Sequence, residues 1–272
     1  MHLNKMKISI IGGGSMGCAI INGLLTDNSI DPSSLSISNP HIEKISAYKD
    51  KGVRIYSDNK EAIKNADLLI LCVKPWIIPE VIEELKYCLD TEKTTVCSIA
   101  AGISSHDLAG MFGVYLPADL CTAIPNTAMA VKESMTFIVP VNGSPLKVVE
   151  LFKALGEVMV TDEKHLPAGM ALASCGIAFA MRYVRAACEG GVELGFKASQ
   201  AQEIVCQTLK GTVSLLHQPG VHPEPEIDKV TTPGGFTIKG LNAMERFGFT
   251  TSVIEGLKAC VAFPHSTTGT SI

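Results

Sequence analysis

The chain has 272 residues, of which 46% are hydrophobic and 18% are charged, and its formal net charge is −4 at pH 7. This length and composition suit one large or two smaller folded domains and exclude a disordered chain. The small negative charge gives no reason to expect nucleic acid or a membrane as partner, and no apolar run is long enough to predict a membrane span.

The first part of the chain, to about residue 161, alternates short β-rich runs with helical patterns. The runs are almost wholly apolar, which is typical of parallel strands covered by helices on both faces. The pattern predicts an α/β domain over residues 1–161 with a Rossmann-type, doubly wound, mainly parallel sheet. The predicted strands are Lys7–Ile11, Leu35–Ser38, Val53–Ile55, Leu68–Val73, Thr95–Ile99, Leu120–Ile124, Thr136–Val139 and Val158–Val160, and the predicted helices are Met16–Leu25, Ile42–Lys51, Ile78–Tyr87, Ser105–Phe112 and Leu146–Leu155.

A glycine-rich turn, Gly12-Gly13-Gly14-Ser15-Met16-Gly17, follows the first predicted strand and opens the first predicted helix. Gly12 permits the tight turn, Gly14 lets a pyrophosphate approach the backbone, and Gly17 lets the helix pack close to the strand. The N–H groups at the start of the helix would bind the phosphates. Because of this strand–turn–helix context, a dinucleotide site is favoured over a plain glycine turn.

The ends of two other strands bear on the choice of cofactor. An acidic residue at the end of the second strand would select the 2′-hydroxyl of NAD, but that strand ends Ser38-Asn39-Pro40. Both side chains could donate hydrogen bonds to a 2′-phosphate, so NADPH is favoured and NADH remains possible. At the end of the fourth strand, Val73-Lys74-Pro75, the lysine is either a ligand contact or a solvated loop residue.

From about Asp162 the sequence predicts helices and no strand. Apolar residues lie nearly all round the segment Ala168–Ala187, so this helix must be buried within the chain or against another subunit. Residues 162–272 are therefore predicted to form an all-helical domain. Its other predicted features are helices over Ser199–Leu216, Thr237–Arg246 and Thr251–Phe263, a loop marked by Pro219, Pro223 and Pro225, and a frayed tail from Pro264.

A second glycine turn, Thr231-Thr232-Pro233-Gly234-Gly235-Phe236-Thr237, leads into a helical pattern. The glycines leave backbone N–H groups uncovered, the helix dipole attracts negative charge, and Thr237 adds a hydroxyl. From these features alone, an anion site and an ordinary Pro-Gly turn between two helices are equally open.

Together these motifs resemble the pyrroline-5-carboxylate reductase family over nearly the whole chain. The resemblance implies NAD(P)H-dependent reduction of the cyclic imine 1-pyrroline-5-carboxylate to L-proline, by hydride transfer from nicotinamide C4, as the last step of proline biosynthesis. It rests on Ile11–Gly17, Val73-Lys74-Pro75, Ser98–Gly102, Pro125-Asn126-Thr127 and Asp228–Thr237.

The resemblance also implies roles for individual residues. Asn59 lies near the adenine ribose, and Thr237 contacts the substrate ring nitrogen as the catalytic residue. Residues 162–272 form a helical dimerisation and substrate-binding domain. It pairs with that of a second subunit, which gives a homodimer or higher oligomer with the active site between chains. The implied cofactor-binding residues are Gly12, Gly14, Ser15, Met16, Gly17, Ser38, Asn39, Asn59, Val73, Lys74, Pro75, Ala100, Ala101, Gly102 and Asn126, and the implied substrate-binding residues are Val230, Thr232, Pro233, Gly234, Gly235, Phe236 and Thr237.

The chain departs from the family pattern at Thr122, Ala128 and Ser174–Ala178, where an arginine, a proline and a Gly-Ser-Gly-Pro-Ala motif are usual. These departures keep open a related Rossmann imine reductase or β-hydroxyacid reductase acting on a different small carboxylate. The hydroxyacid enzymes use a lysine on the long interdomain helix, and none occurs between Gly169 and Glu193. A third alternative is a nucleotide-binding regulatory protein without turnover. The intact Pro-Gly-Gly turn argues against it, because such a protein has no need of a second anion site.

The nine cysteines form no C-x-x-C pair and lie mostly in apolar segments, as expected for free thiols in a reducing compartment. The seven histidines lack the spacing of metal ligands, and hydride transfer needs no metal. We therefore expect a cytoplasmic enzyme without a metal site.

Overall fold

The computed structural model describes residues 3–26 and 30–261, which divide into two compact units, one extending to Ser174 and one beginning at Cys175. This division falls after the predicted boundary at residue 161. The first turn of the long apolar helix belongs to the α/β unit, because Gly169 packs so closely on the ring of Phe137 that a Cβ atom would lie 2.8 Å from it.

The first unit is built on eight strands: β1 (Ile8–Ile11), β2 (Leu35–Ser38), β3 (Arg54–Tyr56), β4 (Leu68–Leu71), β5 (Thr95–Ser98), β6 (Leu120–Ile124), β7 (Ser134–Asn142) and β8 (Gly156–Val160). They form one sheet in the order β3-β2-β1-β4-β5-β6-β7-β8. Neighbouring strands are parallel except for β6 and β7, which are antiparallel. The predicted fold class, a mainly parallel Rossmann-type sheet, is confirmed.

The apolar strands fill two cores, one on each face of the sheet. Ile8 and Ile10 belong to one buried cluster and Ile11 to the other, as expected when successive side chains point to opposite faces. Both faces of the sheet are buried, and strands that alternated apolar and polar residues would place polar side chains in one of the two cores. The strands are therefore mostly apolar. The helices of this unit are α1 (Ser15–Leu25), α2 (Asn59–Ala62), α3 (Ile78–Leu85), α4 (Ser105–Phe112), α5 (Leu146–Lys153) and α6 (Leu166–Gly169).

The helix predicted over Ile42–Lys51 is wrong. The segment instead forms two short 3₁₀ turns, Ile42–Lys44 and Ser46–Tyr48. Ile45 and Tyr48, three residues apart, are buried, and the Tyr48 hydroxyl donates to the carbonyl oxygen of Cys18 at 3.2 Å. This spacing matches three residues per turn, so tertiary contacts with α1 favour the tighter geometry.

The second unit consists of α7 (Gly176–Glu193), α8 (Ala198–Leu216), α9 (Pro223–Val230), α10 (Phe236–Arg246) and α11 (Phe249–Val261). The loop predicted from the prolines is wrong where α9 lies. Pro223 occupies the first position of α9 after the cap His222, where a missing N–H costs nothing. The predicted last residues of the final helix and the tail from Pro264 lie outside the described residues.

The helical unit leaves most of its apolar surface uncovered. None of the described residues of α7, α9, α10 or α11 is buried, and an apolar groove of about 840 Å³ is lined by Phe179, Tyr183, Phe249 and Val253 among others. By length and composition, the helix over Leu166–Glu193 could cross a membrane, with a mean hydropathy of 1.2 and 11% of its most apolar stretch buried. Core helices of proteins that lie outside membranes can have the same length and composition.

Candidate functional site

The glycine turn after β1 is closely packed everywhere except at one position. Gly12 has φ 114°, donates its N–H to Ser38 O at 2.9 Å, and leaves no room for a side chain beside Cys72. A side chain on Gly17 would collide with the carbonyl oxygen of Gly12. Gly14 has nothing within 4 Å of where its Cβ would lie. The turn is therefore open to a ligand at Gly14 and closed against side chains on either side.

The start of α1 offers uncovered backbone donors. Gly14 precedes the helix without a side-chain cap, and no acidic residue lies in the first turn. The N–H of Cys18 donates to Gly14 O at 2.9 Å, so the N–H groups of Ser15, Met16 and Gly17 lie ahead of the first helical hydrogen bond. These donors and the positive end of the helix dipole fit a pyrophosphate.

The end of β2 differs from the sequence interpretation in one respect. Ser38 is completely buried, and its hydroxyl donates to Asn59 Oδ1 at 2.7 Å, so that hydrogen is not offered to a 2′-phosphate. Asn39 keeps a donor near the glycine turn. Its Oδ1 accepts from the N–H of His41 at 2.8 Å, which turns Nδ2 toward Gly13.

Asn59 begins α2, directly after Asp58, which caps that helix by accepting from the N–H of Lys60 at 2.8 Å. The Asn59 amide is half-buried, and its Nδ2 donates to Glu84 Oε2 on α3 at 2.8 Å. Nothing in the sequence pattern singles out Glu84, since it is one of several charged residues on an amphipathic helix.

The segment after β4 runs alongside the glycine turn. The side chain of Val73 lies 3.1 Å from the Cβ position of Gly12, and Pro75 begins a 3₁₀ turn. Lys74 Nζ lies 6.0 Å from the ring centroid of Trp76, a side chain that is 75% exposed. Trp76 is the single tryptophan of the chain and directly follows the Val73-Lys74-Pro75 motif, which is the signal that the sequence offers for this position.

The segment after β5 lies at the same edge of the sheet. Ala100 is buried and donates its N–H to Ser98 Oγ at 3.3 Å, whereas Ala101 is exposed and Gly102 has φ 87° with open space around it. Gly102 and Ile124 line a mostly apolar cavity of about 370 Å³. This surface suits a flat, weakly polar ring.

Thr122 lies on β6, and Asn126 follows the end of that strand. Asn126 is 7% exposed, and its Oδ1 accepts from Ala128 N at 3.0 Å while Nδ2 donates to Ala173 O at 3.4 Å. Its side chain therefore joins the end of β6 to the start of the long helix. Thr122 is 4% exposed, and its Oγ1 has no hydrogen-bond partner within the described residues.

The second glycine turn forms the start of α10. Gly234 has φ 71°, and the N–H of Gly235 donates to Thr232 O at 2.9 Å, which closes the turn. Gly235 precedes α10 without a side-chain cap or an acidic first turn, so the first N–H groups of the helix stay uncovered. Five of the residues predicted to bind substrate are exposed here: Val230, Thr232, Pro233, Phe236 and Thr237.

Two cysteines, Cys97 on β5 and Cys121 on β6, are buried in the central sheet. Burial raises the pKa of the Cys121 thiol to about 12 and that of Cys97 well above its usual value, so neither is a nucleophile at neutral pH. Residues 3–26 and 30–261 contain no group of three side chains that could hold a metal ion.

Family models match both parts of the chain. Residues 163–264 match the family described as pyrroline-5-carboxylate reductase dimerisation. Residues 7–102 match the family described as NADP oxidoreductase, coenzyme F420-dependent.

Relatives cover nearly the whole chain. Pyrroline-5-carboxylate reductase 2 of Dictyostelium discoideum is 35% identical over 273 residues, which cover 93% of this chain and 90% of the relative. Pyrroline-5-carboxylate reductase of Synechocystis is 32% identical over 260 residues, with coverage of 94% and 96%. The solved structure of a pyrroline-5-carboxylate reductase from Coxiella burnetii has 28% identity and a TM-score of 0.84, over 95% of this chain and 97% of that one.

Proposed function

The chain belongs to the pyrroline-5-carboxylate reductase family and reduces 1-pyrroline-5-carboxylate to proline with a nicotinamide cofactor, and we propose that it prefers NADPH and binds substrate at the head of α10. The observation that carries the assignment of the substrate is the start of α10 after the turn Thr232–Gly235, where the first N–H groups of the helix are uncapped and suit a small carboxylate.

In this proposal the glycine turn holds the pyrophosphate of the cofactor. The open space at Gly14 admits the phosphates, and the N–H groups of Ser15, Met16 and Gly17 donate to them. Gly12 acts through its backbone, since it keeps the turn against Val73 and the end of β4.

The preference for NADPH rests on the groups near the ribose end. No carboxylate directly follows β2, where Asn39 Nδ2 can donate to a 2′-phosphate, and the ammonium group of Lys74 after β4 adds a positive charge at the same edge of the sheet. NADH, which lacks that phosphate, is the weaker cofactor. Ser38 contributes by fixing Asn59 rather than by direct contact.

The nicotinamide lies in this proposal against the segment Ala100–Gly102, where Ala101 and the open surface of Gly102 leave room for a ring. Asn126 stabilises the end of the neighbouring strand β6 through its hydrogen bonds to Ala128 and Ala173. Reduced nicotinamide supplies a hydride to the imine carbon, and the C=N electron pair passes to the ring nitrogen, which carries a proton and becomes the secondary amine of proline.

The chain's own residues bind and orient the imino acid. The uncapped N–H groups at the start of α10, after the turn Thr232–Gly235, bind the carboxylate. Val230 and Phe236 contact the apolar part of the ring, and the Thr237 hydroxyl hydrogen-bonds the ring nitrogen. Thr237 is thus the catalytic residue, although the hydride comes from the cofactor.

We also propose an assembly of at least two copies in the cytoplasm. The apolar groove of the helical unit and the match of residues 163–264 to a dimerisation family support a homodimer or higher oligomer. In such an assembly the active site would form between chains.

The proposal is tested by following NADPH oxidation at 340 nm when purified protein is given 1-pyrroline-5-carboxylate. We expect turnover with NADPH, slower turnover with NADH, and little with a six-membered cyclic imino acid or with β-hydroxyacids and NADP⁺. Cofactor binding without turnover would remove the assignment, and a higher rate with the larger ring would favour a related imine reductase.

A further inference from the structure

Three side chains from three separate elements form a continuous polar chain at one edge of the sheet. The hydroxyl of Ser38, at the end of β2, donates to Asn59 Oδ1 at 2.7 Å. The Nδ2 group of Asn59, at the start of α2, donates to Glu84 Oε2 on α3 at 2.8 Å. The Asn59 amide is therefore bound on both its oxygen and its nitrogen.

The chemistry of these groups allows only one orientation of the amide. A carboxylate accepts hydrogen bonds and does not donate them, so Glu84 requires the nitrogen side of Asn59. The oxygen then faces Ser38, whose hydroxyl can donate to it. A flipped amide would set two acceptor oxygens against each other beside Glu84, and partly buried polar groups without partners are costly.

The position of this chain connects it to the cofactor site. The carbonyl oxygen of Ser38 accepts the N–H of Gly12 at 2.9 Å, so the end of β2 is joined directly to the glycine turn. Ligands of open parallel sheets bind outside the carboxyl ends of the strands, where Ser38 and Asn59 lie. One hydrogen of Nδ2 is bound to Glu84, and the second has no acceptor among the described residues, so the half-buried amide keeps a donor free for a ligand.

The neighbouring carboxylate on the same helix has different surroundings. Glu83 is 62% exposed at its side chain, where it pairs with Lys86 and accepts a hydrogen bond from the Tyr87 hydroxyl at 3.1 Å. It contacts neither α2 nor the end of β2 through a hydrogen bond in the part of the chain that the structure describes. Glu83 is therefore a matched control for Glu84.

We infer that Glu84 is a positioning residue for cofactor binding, which holds the Asn59 amide so that it presents an N–H group to the ribose end of the dinucleotide. The inference rests on the cofactor site proposed above. It concerns binding and not the hydride transfer, since Glu84 touches Asn59 and not the reacting atoms.

The test measures equilibrium dissociation constants for NADPH and NADH from the fluorescence of the bound nicotinamide, without imino acid. Glu84→Ala is expected to weaken both by about tenfold, as for the loss of one charge-assisted hydrogen bond. Its kcat at saturating cofactor should equal that of the wild type, while Glu83→Ala should leave the dissociation constants unchanged. Glu84→Gln keeps a carbonyl that can accept from Asn59, so it should restore most of the affinity.

A double-mutant cycle separates positioning from a general loss of structure. Asn59→Ala alone should weaken binding at least as much as Glu84→Ala, and the double variant should bind no more weakly than Asn59→Ala, because Glu84 acts only through that amide. Full additivity of the two effects, or unchanged cofactor affinity in the Glu84→Ala protein, would overturn the inference.

The outcomes also separate this inference from the proposed reaction. If the wild-type protein binds NADPH but does not reduce 1-pyrroline-5-carboxylate, the proposed reaction is wrong. The double-mutant cycle of Asn59 and Glu84 still tests the inference, because it measures cofactor binding alone. Wild-type protein that binds neither NADPH nor NADH would overturn both.

Discussion

Gly12 and Cys72 approach so closely that a methyl group on Gly12 would lie 2.5 Å from the carbonyl oxygen of Cys72. Gly12 also has φ 114°, a conformation that side chains disfavour. Gly12→Ala should therefore destabilise the folded α/β unit by about 1–3 kcal/mol, the usual cost of such backbone strain. Thermal unfolding measures this change, and an unaltered midpoint would contradict the close packing.

Gly14→Ala provides the opposite case in the same turn. Gly14 has φ −82° and ψ −171°, which alanine adopts readily, and nothing lies within 4 Å of its Cβ position. The variant should unfold at the wild-type temperature but bind NADPH at least about tenfold more weakly, because the methyl group occupies the approach of the pyrophosphate. Wild-type affinity in this variant would move the phosphates away from Gly14.

Much of this site follows from sequence because its determinants are local. The glycine turn, the apolar strands and the Pro-Gly-Gly turn are each specified by residues that are adjacent in the chain, and the structure contains all three. The roles of Tyr48 and Glu84 depend on contacts with residues 30 and 25 positions away in the chain, respectively, which no local pattern encodes. Helix α9 was missed because a proline suits both a loop and the first position of a helix.

Trp76 gives a direct optical test of the cofactor site. It is the single tryptophan, is 75% exposed, and follows Lys74-Pro75 at the edge where the cofactor should bind. Binding of NADP⁺, which does not absorb at 340 nm, should quench its emission through contact with the adenine. Adenosine monophosphate should quench in the same way and nicotinamide mononucleotide should not. If saturating NADP⁺ leaves the tryptophan emission unchanged, the adenine does not bind beside Trp76.

Thr237 should affect turnover more than cofactor affinity. Thr237→Ala removes the hydroxyl at the head of α10 and is expected to lower kcat about tenfold or more while the dissociation constant for NADPH stays the same. Thr237→Ser, which keeps the hydroxyl, should retain most of the activity. Thr208→Ala is a suitable control, since the Thr208 hydroxyl donates to Ile204 O of its own helix at 2.9 Å and has no other hydrogen bond to a side chain among the described residues. Equal weakening of NADPH binding would remove Thr237 from the substrate site.

Thr122→Val should not destabilise the protein, in spite of its place in the central sheet. The Thr122 side chain is 4% exposed, and its hydroxyl finds no partner in the described residues. Replacing an unpaired buried hydroxyl by a methyl group of similar size removes a desolvation cost of about 1 kcal/mol. We expect an unfolding midpoint equal to or above that of the wild type, whereas a clear decrease would indicate an ordered partner such as a buried water.

The apolar surface of the helical unit predicts an obligate dimer. Phe179 is 39% exposed and lines the groove formed with Phe249 and Val253. A charge at this position would be buried without a partner in the assembly, so Phe179→Asp should dissociate the dimer and abolish reductase activity, because the active site is proposed to form between chains.

Leu146→Asp is the matched control for this prediction. Leu146 is 72% exposed at the first position of α5 in the α/β unit, where an acidic side chain favours the helix dipole. Light scattering across a dilution series should show a dimer or larger assembly for the wild type and for Leu146→Asp, and a smaller particle for Phe179→Asp. A wild-type chain that stays folded and active as a monomer at high dilution would contradict both the obligate dimer and the shared active site.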